Sequence, residues 1–429
     1  MPSNCWLSGE DKMEIKRDRY LEQLKDRMHN GLIKVITGVR RVGKSYLLFT
    51  IFKEYLIKQG IKKDHIITVA FDMRESIPLR SPDTLLRKIK SQITDDHDYY
   101  LLLDEVQLLH GFEEVLNEFL YMRNVDIYVT GSNSKFLSKD VITEFRGRGD
   151  EIHVYPLAFA EYLPASGKDV YHAWADYVLY GGLPLTLSFA KEEQKVTYLT
   201  NLFTETYLKD IIARNHIEKT QELEDTIDII ASSIGSLTNP SKILATFKSK
   251  LNSSVSPNTI KKYIDCLEDA FLINEAKRFD VKGRKYIGSP VKYYFEDVGL
   301  RNARLDFRQS EENHIMENII YNELRYRGFS VNVGMVSERK REANGRQVQR
   351  NLEVDFVANL GSKRYYLQSA YRMPDDDKIR QEKNPLVGLN DSFKKIIIVR
   401  DVTNVTRDEQ GITTMGIFDF LLKENSLEL

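Results

Sequence analysis

The sequence predicts an α/β fold that begins with a parallel sheet covered by helices on both faces. Three observations support this prediction. Apolar, strand-like runs alternate with helical segments from residue 32 to residue 157. A glycine-rich turn follows the first run, and two adjacent acids follow the third. The five predicted strands lie near 32–37, 65–71, 99–104, 125–130 and 151–156.

The turn after the first strand reads GVRRVGKS, residues 38–45, and fits the pattern G-x-x-x-x-G-K-[ST]. It joins an apolar run to a segment of helical spacing, which is the context that a phosphate-binding loop requires. The glycines would let backbone N–H groups surround phosphates, Lys44 would neutralise the outer phosphates, and Ser45 would hold a magnesium ion. The pattern predicts a P-loop NTPase. Its predicted nucleotide-binding residues are Gly38, Val39, Arg40, Arg41, Val42, Gly43, Lys44, Ser45 and Tyr46.

The third strand, YYLLLDEVQLL at 99–109, ends in two carboxylates, as a Walker B strand does. Asp104 would hold the magnesium ion through its water shell, and Glu105 would polarise the attacking water as a general base. A buried run of leucines rarely ends in two adjacent acids unless a cation faces them. The sequence therefore predicts that this strand end serves hydrolysis.

Polar residues at two further turns are candidates for contact with the γ-phosphate. Thr130, Ser132 and Asn133 follow the fourth strand, where ordinary turn chemistry is an equally good explanation. Arg146 and Arg148 flank Gly147 just before the fifth strand. Either arginine could stabilise transition-state charge, in its own subunit or in a neighbour's, although a solvated loop explains them as well.

Composition limits the remaining possibilities. A chain of 429 residues should contain two or three domains, and 62 basic against 63 acidic residues give no overall preference for polyanions. Cys5 and Cys266 are too few for a disulfide framework or a cysteine-rich zinc site. Because no run of about 18 apolar residues occurs, we expect no membrane span and a cytoplasmic location.

The chain after the sheet is expected to change character twice. Helical spacing from about 157 to 215 predicts a lid or connector. Three helices then follow, two of which open with a cap and a proline at Asn239-Pro240 and Ser256-Pro257, and a hairpin with a basic tip comes next. This order predicts a winged helix, a module that binds either DNA or protein. Its candidate DNA contacts are Asn258, Thr259, Lys261, Lys262, Arg284 and Lys285.

The last segment is predicted to contain a helix at 314–328, four strands and a closing helix. The basic run SERKREANGRQVQR lies between two of these strands. It is either a phosphate-binding loop or, as we favour, a charged hairpin tip.

Six motifs give the chain a family resemblance: GVRRVGKS, LLLDEVQ, the TGS strand end, RGR before YPLAFAEYL, YGGLP and ETYLKDII. Together they resemble the prokaryotic AAA-type ATPases that carry a C-terminal domain of unknown function, and the resemblance covers the chain from about Met13 onward. It implies ATP rather than GTP, in agreement with the lack of an N-K-x-D guanine motif. It also implies an ATPase core, a winged helix and a C-terminal domain related to the PD-(D/E)XK restriction-endonuclease fold.

That nuclease fold normally uses a helix acid, a strand-end Asp and an E-x-K on the next strand. Glu317 and Asp355 match the first two positions, whereas Gln368 and Ala370 stand where the glutamate and lysine belong. A neutral amide binds metal poorly and an alanine cannot orient water, so the resemblance implies a degenerate nuclease site at Glu317, Asp355 and Gln368.

The sequence predicts an enzyme that binds ATP and Mg²⁺, hydrolyses ATP and couples hydrolysis to a change on DNA or on a protein partner. A regulator gated by nucleotide, with incidental turnover, is the alternative, and an active nuclease is a third possibility. A homo-oligomer is compatible with either of the first two. The predicted division is an N-terminal extension at 1–12, an ATPase core at 13–160, a helical lid at 161–220, a winged helix at 221–305 and a nuclease-like domain at 306–429.

Overall fold

The computed structural model describes residues 15–131, 147–251, 255–308, 311–341, 347–389, 391–401 and 404–429. In this part of the chain, two compact units are present. The first extends to Pro156 and includes two short later pieces, Leu183–Ser188 and Asp269–Phe271, and the second contains the other residues from Leu157 onward. The finer division into five segments stays a prediction. No helix in the described ranges is long and apolar enough to cross a membrane.

A sheet of five parallel strands forms the centre of the first unit. The strands are β1 (Ile33–Thr37), β2 (Ile66–Ala70), β3 (Tyr99–Asp104), β4 (Val125–Thr130) and β5 (Gly149–His153). Their order in space is β2-β3-β4-β1-β5. Every residue of β3 is buried, as expected for a central parallel strand covered on both faces. The five predicted strands and the parallel arrangement are confirmed.

Helices of the first unit pack their apolar residues on this sheet. Leu85 and Phe119 belong to the same buried cluster as Leu101 and Leu103 of β3. One of these helices begins at Pro82, and the side chain of the preceding Ser81 accepts no capping bond. The helices are α1 (Asp18–Asp26), α2 in three consecutive segments (Lys44–Tyr46, the π-helical Leu47–Phe52 and Lys53–Lys58), α3 (Pro82–Gln92) and α4 (Phe112–Leu120).

The second unit begins with helices, as the sequence predicts. Two of the predicted caps form: Asn239 accepts the N–H of Lys242 at 2.7 Å, and the Ser256 hydroxyl accepts the N–H of Thr259 at 3.0 Å. The helices are α5 (Phe159–Ser166), α6 (Val170–Tyr180), α7 in three segments (Glu192–Asn201, the π-helical Leu202–Leu208 and Lys209–Asn215), α8 (Thr220–Ser232), α9 (Pro240–Thr246, with the π-helical Phe247–Leu251) and α10 (Pro257–Asp269).

One mixed sheet of eight strands follows. Its strands are β6 (Ile273–Asp280), β7 (Lys285–Phe295), β8 (Ser330–Arg341), β9 (Gln347–Leu360), β10 (Lys363–Ala370), β11 (Lys394–Val399), β12 (Thr406–Arg407) and β13 (Ile412–Gly416). Their order is β12-β13-β11-β10-β9-β8-β6-β7. The predicted hairpin is present as β6 and β7, with residues 281–284 at its tip. It is not a free wing, because β6 pairs in parallel with β8 and so joins the C-terminal strands.

The basic run SERKREANGRQVQR covers the end of β8 and the start of β9, which pair as far as Arg341 and Gln347. The predicted hairpin tip at 342–346 lies outside the described residues. The sequence missed a helix, Asp376–Val387, whose start is capped by Asp375 accepting the N–H of Lys378 at 2.8 Å. The helices of this region are α11 (Val298–Arg304), α12 (Glu312–Tyr326), α13 (Asp376–Val387) and α14 (Ile417–Leu422).

Candidate functional site

The loop between β1 and α2 requires glycine at two positions. Gly38 has a φ of 128° and Gly43 a φ of 98°, a region that residues with a Cβ atom rarely adopt. A Cβ atom at Gly38 would lie 2.1 Å from the carbonyl oxygen of Val154. The loop therefore packs closely against the chain at the carboxyl end of β1. Among its other residues, Val39 and Val42 are buried and Arg41 is exposed.

Lys44 lies inside this loop rather than in solvent. Its side chain is buried, and Nζ donates to the carbonyl oxygens of Gly38 at 2.8 Å and Val39 at 2.9 Å. An ammonium group is costly to bury, and these carbonyl oxygens offset part of that cost. The arrangement holds a positive charge at the centre of a concave run of backbone.

The side chains of Ser45 and Thr130 both point at Asp104. The Ser45 hydroxyl donates to Asp104 Oδ1 at 2.9 Å, and the Thr130 hydroxyl donates to the same oxygen. Three segments that are far apart in the sequence thus meet at the carboxyl edge of the sheet: the start of α2, the end of β3 and the end of β4. The predicted magnesium pair, Ser45 and Asp104, is in direct contact.

Burial changes the acidity of Asp104, which is only 3% exposed. Desolvation raises the pKa of its carboxyl to about 6, although hydrogen bonds from Thr130 and Ser45 oppose the rise. The Glu105 carboxylate adds to the rise. Since such burial disfavours negative charge, a cation beside Asp104 would favour the ionised form.

Glu105 begins a tight turn immediately after β3. Its φ of 52° lies in the left-handed region, which is uncommon for a residue other than glycine. Its N–H donates to Thr130 Oγ1 at 3.1 Å, and its carboxylate accepts a bond from the Gln107 side-chain amide. This turn directs Glu105 away from the strand while keeping it adjacent to Asp104. Sequence reasoning did not identify Gln107, although an amide two residues after the acidic pair was a usable signal.

Arg148 lies away from the phosphate loop. Its carbonyl accepts the N–H of Ile33 at 2.8 Å, so it is placed at the amino edge of the sheet, roughly 13 Å along β1 from the loop. Its guanidinium donates to Asn117 Oδ1 at 3.4 Å and stands over the Tyr121 ring. The structure does not bring Arg148 to the loop of its own chain. Arg146, Ser132 and Asn133 lie outside the described residues.

Comparison with known proteins bears on this loop. Residues 30–163 match the family model of an AAA domain. A Haemophilus influenzae protein described as uncharacterized is 34% identical over 418 residues, which cover 96% of this chain and 100% of that protein. The chain belongs to this family. It is an AAA-type P-loop protein, as the six motifs suggested.

Further comparisons, with another family model, another relative and a solved structure, do not indicate a function. Residues 171–311 match the model of a domain of unknown function, DUF8612. A Methanocaldococcus jannaschii protein, also described as uncharacterized, is 27% identical over 414 residues, covering 92% of this chain and 86% of that protein. A solved structure of the Aeropyrum pernix ORC1 protein in complex with DNA covers 69% of this chain and 94% of that one, at 12% identity and a TM-score of 0.28. A score this low carries no argument.

A second cluster of polar side chains lies beyond the AAA domain, in the mixed sheet. Glu317 of α12, Asp355 of β9 and Gln368 of β10 are all buried. Gln368 Oε1 accepts the N–H of Asp355 at 3.3 Å, and Asp355 Oδ2 accepts the N–H of Ser369 at 2.8 Å. The three residues predicted from the nuclease resemblance therefore lie together.

Lys292 of β7 enters the same cluster, and sequence reasoning missed it. Its Nζ lies 2.8 Å from Glu317 Oε1, 2.7 Å from Glu353 Oε1 and 3.7 Å from Asp355 Oδ1. The lysine comes from the hairpin strand β7 rather than from β10, where Ala370 occupies the lysine position of the nuclease pattern. The available signal was a lone lysine within the apolar run VKYYF, where a buried cation requires an acidic partner.

Burial and the neighbouring charges shift the pKa values of Lys292 and Asp355 in this cluster. Burial lowers the pKa of Lys292, but the carboxylates of Glu317, Asp355 and Glu353 raise it by more. The pKa therefore lies above its ordinary value. Burial raises the pKa of Asp355 to about 8, and the Glu317 carboxylate adds to the rise. Among the described residues, no group of three or more His, Cys, Asp or Glu side chains is arranged to hold a metal ion. An internal ammonium neutralises these carboxylates instead.

The candidate DNA-contacting residues form two separate groups. On α10, Asn258, Lys261 and Lys262 are exposed and Thr259 is half-buried, yet the acids Asp265 and Asp269 are exposed on the same helix. Arg284 and Lys285 are exposed at the hairpin tip. Arg284 lines a cavity with residues of the β9–β10 turn, and no α10 residue contributes to that cavity.

Proposed function

We propose that the AAA domain binds ATP together with Mg²⁺ and hydrolyses it. The observation that carries this proposal is the 2.9 Å contact between Ser45 Oγ and Asp104 Oδ1 beside a phosphate-loop lysine that is itself buried. Hydroxyl and carboxylate oxygens are the hard donors that Mg²⁺ prefers, so the two side chains fit that ion. Once bound, magnesium would neutralise phosphate charge during hydrolysis.

Each residue has a distinct proposed role. The backbone of residues 38–45 cradles the phosphates, and Lys44 exchanges its carbonyl partners for phosphate oxygens. Ser45 and Asp104 would hold the metal ion. Glu105 withdraws a proton from the attacking water. Thr130 links the ends of β3 and β4, because its hydroxyl donates to the Asp104 carboxylate and accepts the backbone N–H of Glu105.

We further propose that hydrolysis is coupled to a conformational change on DNA or on a protein partner, with α10 and the hairpin as candidate contacts. If Arg148 is an arginine finger, it would act on a neighbouring copy, because it lies at the amino edge of its own sheet. Arg146 and Asn133 stay candidates at the γ-phosphate. The competing function is a nucleotide-gated regulator of DNA or of a protein partner, in which turnover is incidental.

Two substitutions test the proposed site. Lys44→Ala should weaken ATP binding about tenfold or more, because the lysine neutralises charge in the bound ground state. Glu105→Gln should retain binding and lower turnover by about 10²-fold or more, because the base acts on the attacking water. Calorimetric titration with Mg-ATP and a phosphate-release assay separate the two effects.

Matched controls are available on α2. Lys58→Ala and Glu54→Gln make the same chemical changes at exposed positions of the same helix and should leave both measurements within a factor of two. Unchanged turnover in Glu105→Gln would remove the base assignment. ATPase rates with and without duplex or single-stranded DNA then distinguish the two functions: strong stimulation supports a DNA-acting ATPase, and slow, unstimulated turnover supports the regulator.

A further inference from the structure

A cavity of about 590 Å³ opens beside the tip of the β6–β7 hairpin. Three segments surround it: the hairpin tip, the turn between β9 and β10, and the segment that precedes β11. Its charged and aromatic lining consists of Lys282, Arg284, Lys363, Arg364, Asp391 and Phe393. The nucleotide loop belongs to the other unit, and none of its residues lines this cavity.

Positive charge dominates the lining. Four cations face one carboxylate, and that carboxylate is already engaged, since Asp391 accepts the Tyr366 hydroxyl at 2.6 Å and the Phe393 N–H at 3.3 Å. Lys363 Nζ forms an ion pair with Glu428 Oε1 at 2.9 Å, but the Lys363 side chain is 60% exposed. The whole chain is nearly neutral, so this concentration of cations is local.

The tip holds its two cations in a fixed turn. Lys282 Nζ donates to the carbonyl oxygen of Ser337 at 3.2 Å, which attaches the tip to β8. Asp280 accepts the N–H of Gly283 at 2.9 Å, and Arg284 has a φ of 51°. Within the described residues, Arg284 makes no ion pair, so its guanidinium is available to an anionic ligand.

Aromatic rings accompany the cations. The Arg364 guanidinium lies 5.4 Å from the Phe279 ring centre and 5.2 Å from that of Phe393. Phe393 is 38% exposed, and Tyr286, which packs edge-on against Phe279, is 62% exposed. A planar cation stacked on an accessible ring provides a flat surface on which a base can stack.

We propose that this cavity binds single-stranded nucleic acid. Lys282, Arg284 and Lys363 would contact phosphates, and a base would stack on Phe393 beside Arg364. Cationic grooves with exposed rings are typical of proteins that bind single strands, whereas a duplex keeps its bases stacked on each other and offers mainly phosphates. The inference extends the proposed action on DNA but does not depend on ATP hydrolysis.

The test measures binding in the absence of ATP. Fluorescence anisotropy with a labelled oligothymidylate and with a duplex of equal length compares wild type with Lys282→Glu/Arg284→Glu/Lys363→Glu. We expect single-strand affinity to fall about tenfold or more, and the slope of log affinity against log salt to decrease by about 2. Duplex affinity should change less than threefold. Arg364 is retained because it packs between rings.

Matched variants separate charge from stacking. Lys168→Glu/Lys191→Glu/Lys209→Glu carries the same charge change on exposed lysines outside the cavity, and single-strand affinity should stay within a factor of two. Phe393→Ala should weaken single-strand binding about tenfold, as should Phe393→Leu, which retains most of the volume if alanine disturbs folding.

Several outcomes would overturn the proposal. These are equal losses in the cavity and control triples, equal losses for duplex and single strand, or polyglutamate competing as well as the oligonucleotide. Phosphate release without DNA is measured on the same variants. Normal single-strand binding in a protein that lacks ATPase activity would refute the proposed function alone, whereas normal ATPase activity with no single-strand binding would refute this inference alone.

Discussion

Lys292 shows how one residue can determine the chemistry of a buried cluster. Its ammonium lies within 3 Å of an oxygen of Glu317 and of Glu353, and the Tyr294 hydroxyl donates to the same Glu317 oxygen at 2.6 Å. Desolvating a lysine is costly, and only several carboxylates at short range offset that cost. Removing the lysine would leave acids buried without a counter-charge.

We therefore expect Lys292→Met to destabilise the protein by about 3–5 kcal/mol, the cost of breaking a buried ion pair by deleting one partner. Urea unfolding followed by circular dichroism measures the change. Lys277→Met alters an exposed lysine of the neighbouring strand β6 and should cost less than about 0.5 kcal/mol. Adding Glu317→Gln to Lys292→Met should recover part of the loss, since it removes one uncompensated charge. Equal stability of Lys292→Met and wild type would contradict the assigned role.

At the scale of elements, α10 carries two opposed sets of charges. Its first turns expose Lys261 and Lys262, whereas Asp265 and Asp269 are exposed further along. Ile260, Tyr263, Ile264 and Leu267 are buried, which fixes the charged residues on the outer face. A duplex would meet cations only at the amino-terminal end of this helix.

If α10 contacts duplex DNA, reversing Lys261 and Lys262 to glutamate should weaken duplex binding and reduce the salt slope by about 2, because two phosphate contacts are lost. Asp265→Asn should have the opposite sign and strengthen binding, since it removes a repulsive charge from the same helix. Anisotropy over a salt series measures both. Identical slopes for wild type and the double reversal would indicate that α10 packs against protein rather than DNA.

For the whole molecule, near-neutral net charge means that any activity on nucleic acid depends on local sites rather than on the overall field. The chain combines an AAA domain with a mixed-sheet unit whose acidic cluster holds a lysine. Gln368 offers a neutral amide where a nuclease needs a carboxylate, and buried Ala370 offers no group to act on water. The ammonium of Lys292 contacts the carboxylates that a metal would require.

We expect the full-length protein not to cleave plasmid DNA with Mg²⁺ or Mn²⁺, whether or not ATP is added. Agarose-gel assays over several hours provide the measurement. Cleavage that disappears in Asp355→Ala would refute this expectation, since it would assign the activity to the cluster. Cleavage that persists at the same rate in Asp355→Ala would come from a contaminating enzyme.

Features that depend on neighbouring residues were predictable from the sequence. The glycines of the phosphate loop, the acids at the end of β3 and the five apolar strands are visible because each is a local pattern with a local physical cause. The caps at Asn239 and Ser256 were predictable for the same reason. The helix Asp376–Val387 was missed because its apolar pattern is weak and contains Pro385.

Contacts between residues that are distant in the chain were not predictable in this way. Lys292 lies 25 residues from Glu317 in the chain, and strand pairing in the mixed sheet together with the packing of α12 on it brings both to Asp355. The same pairing places Arg284 beside Arg364, and strand direction places Arg148 at the edge away from the loop. Strand order and direction result from packing over the whole sheet, which local periodicity does not encode.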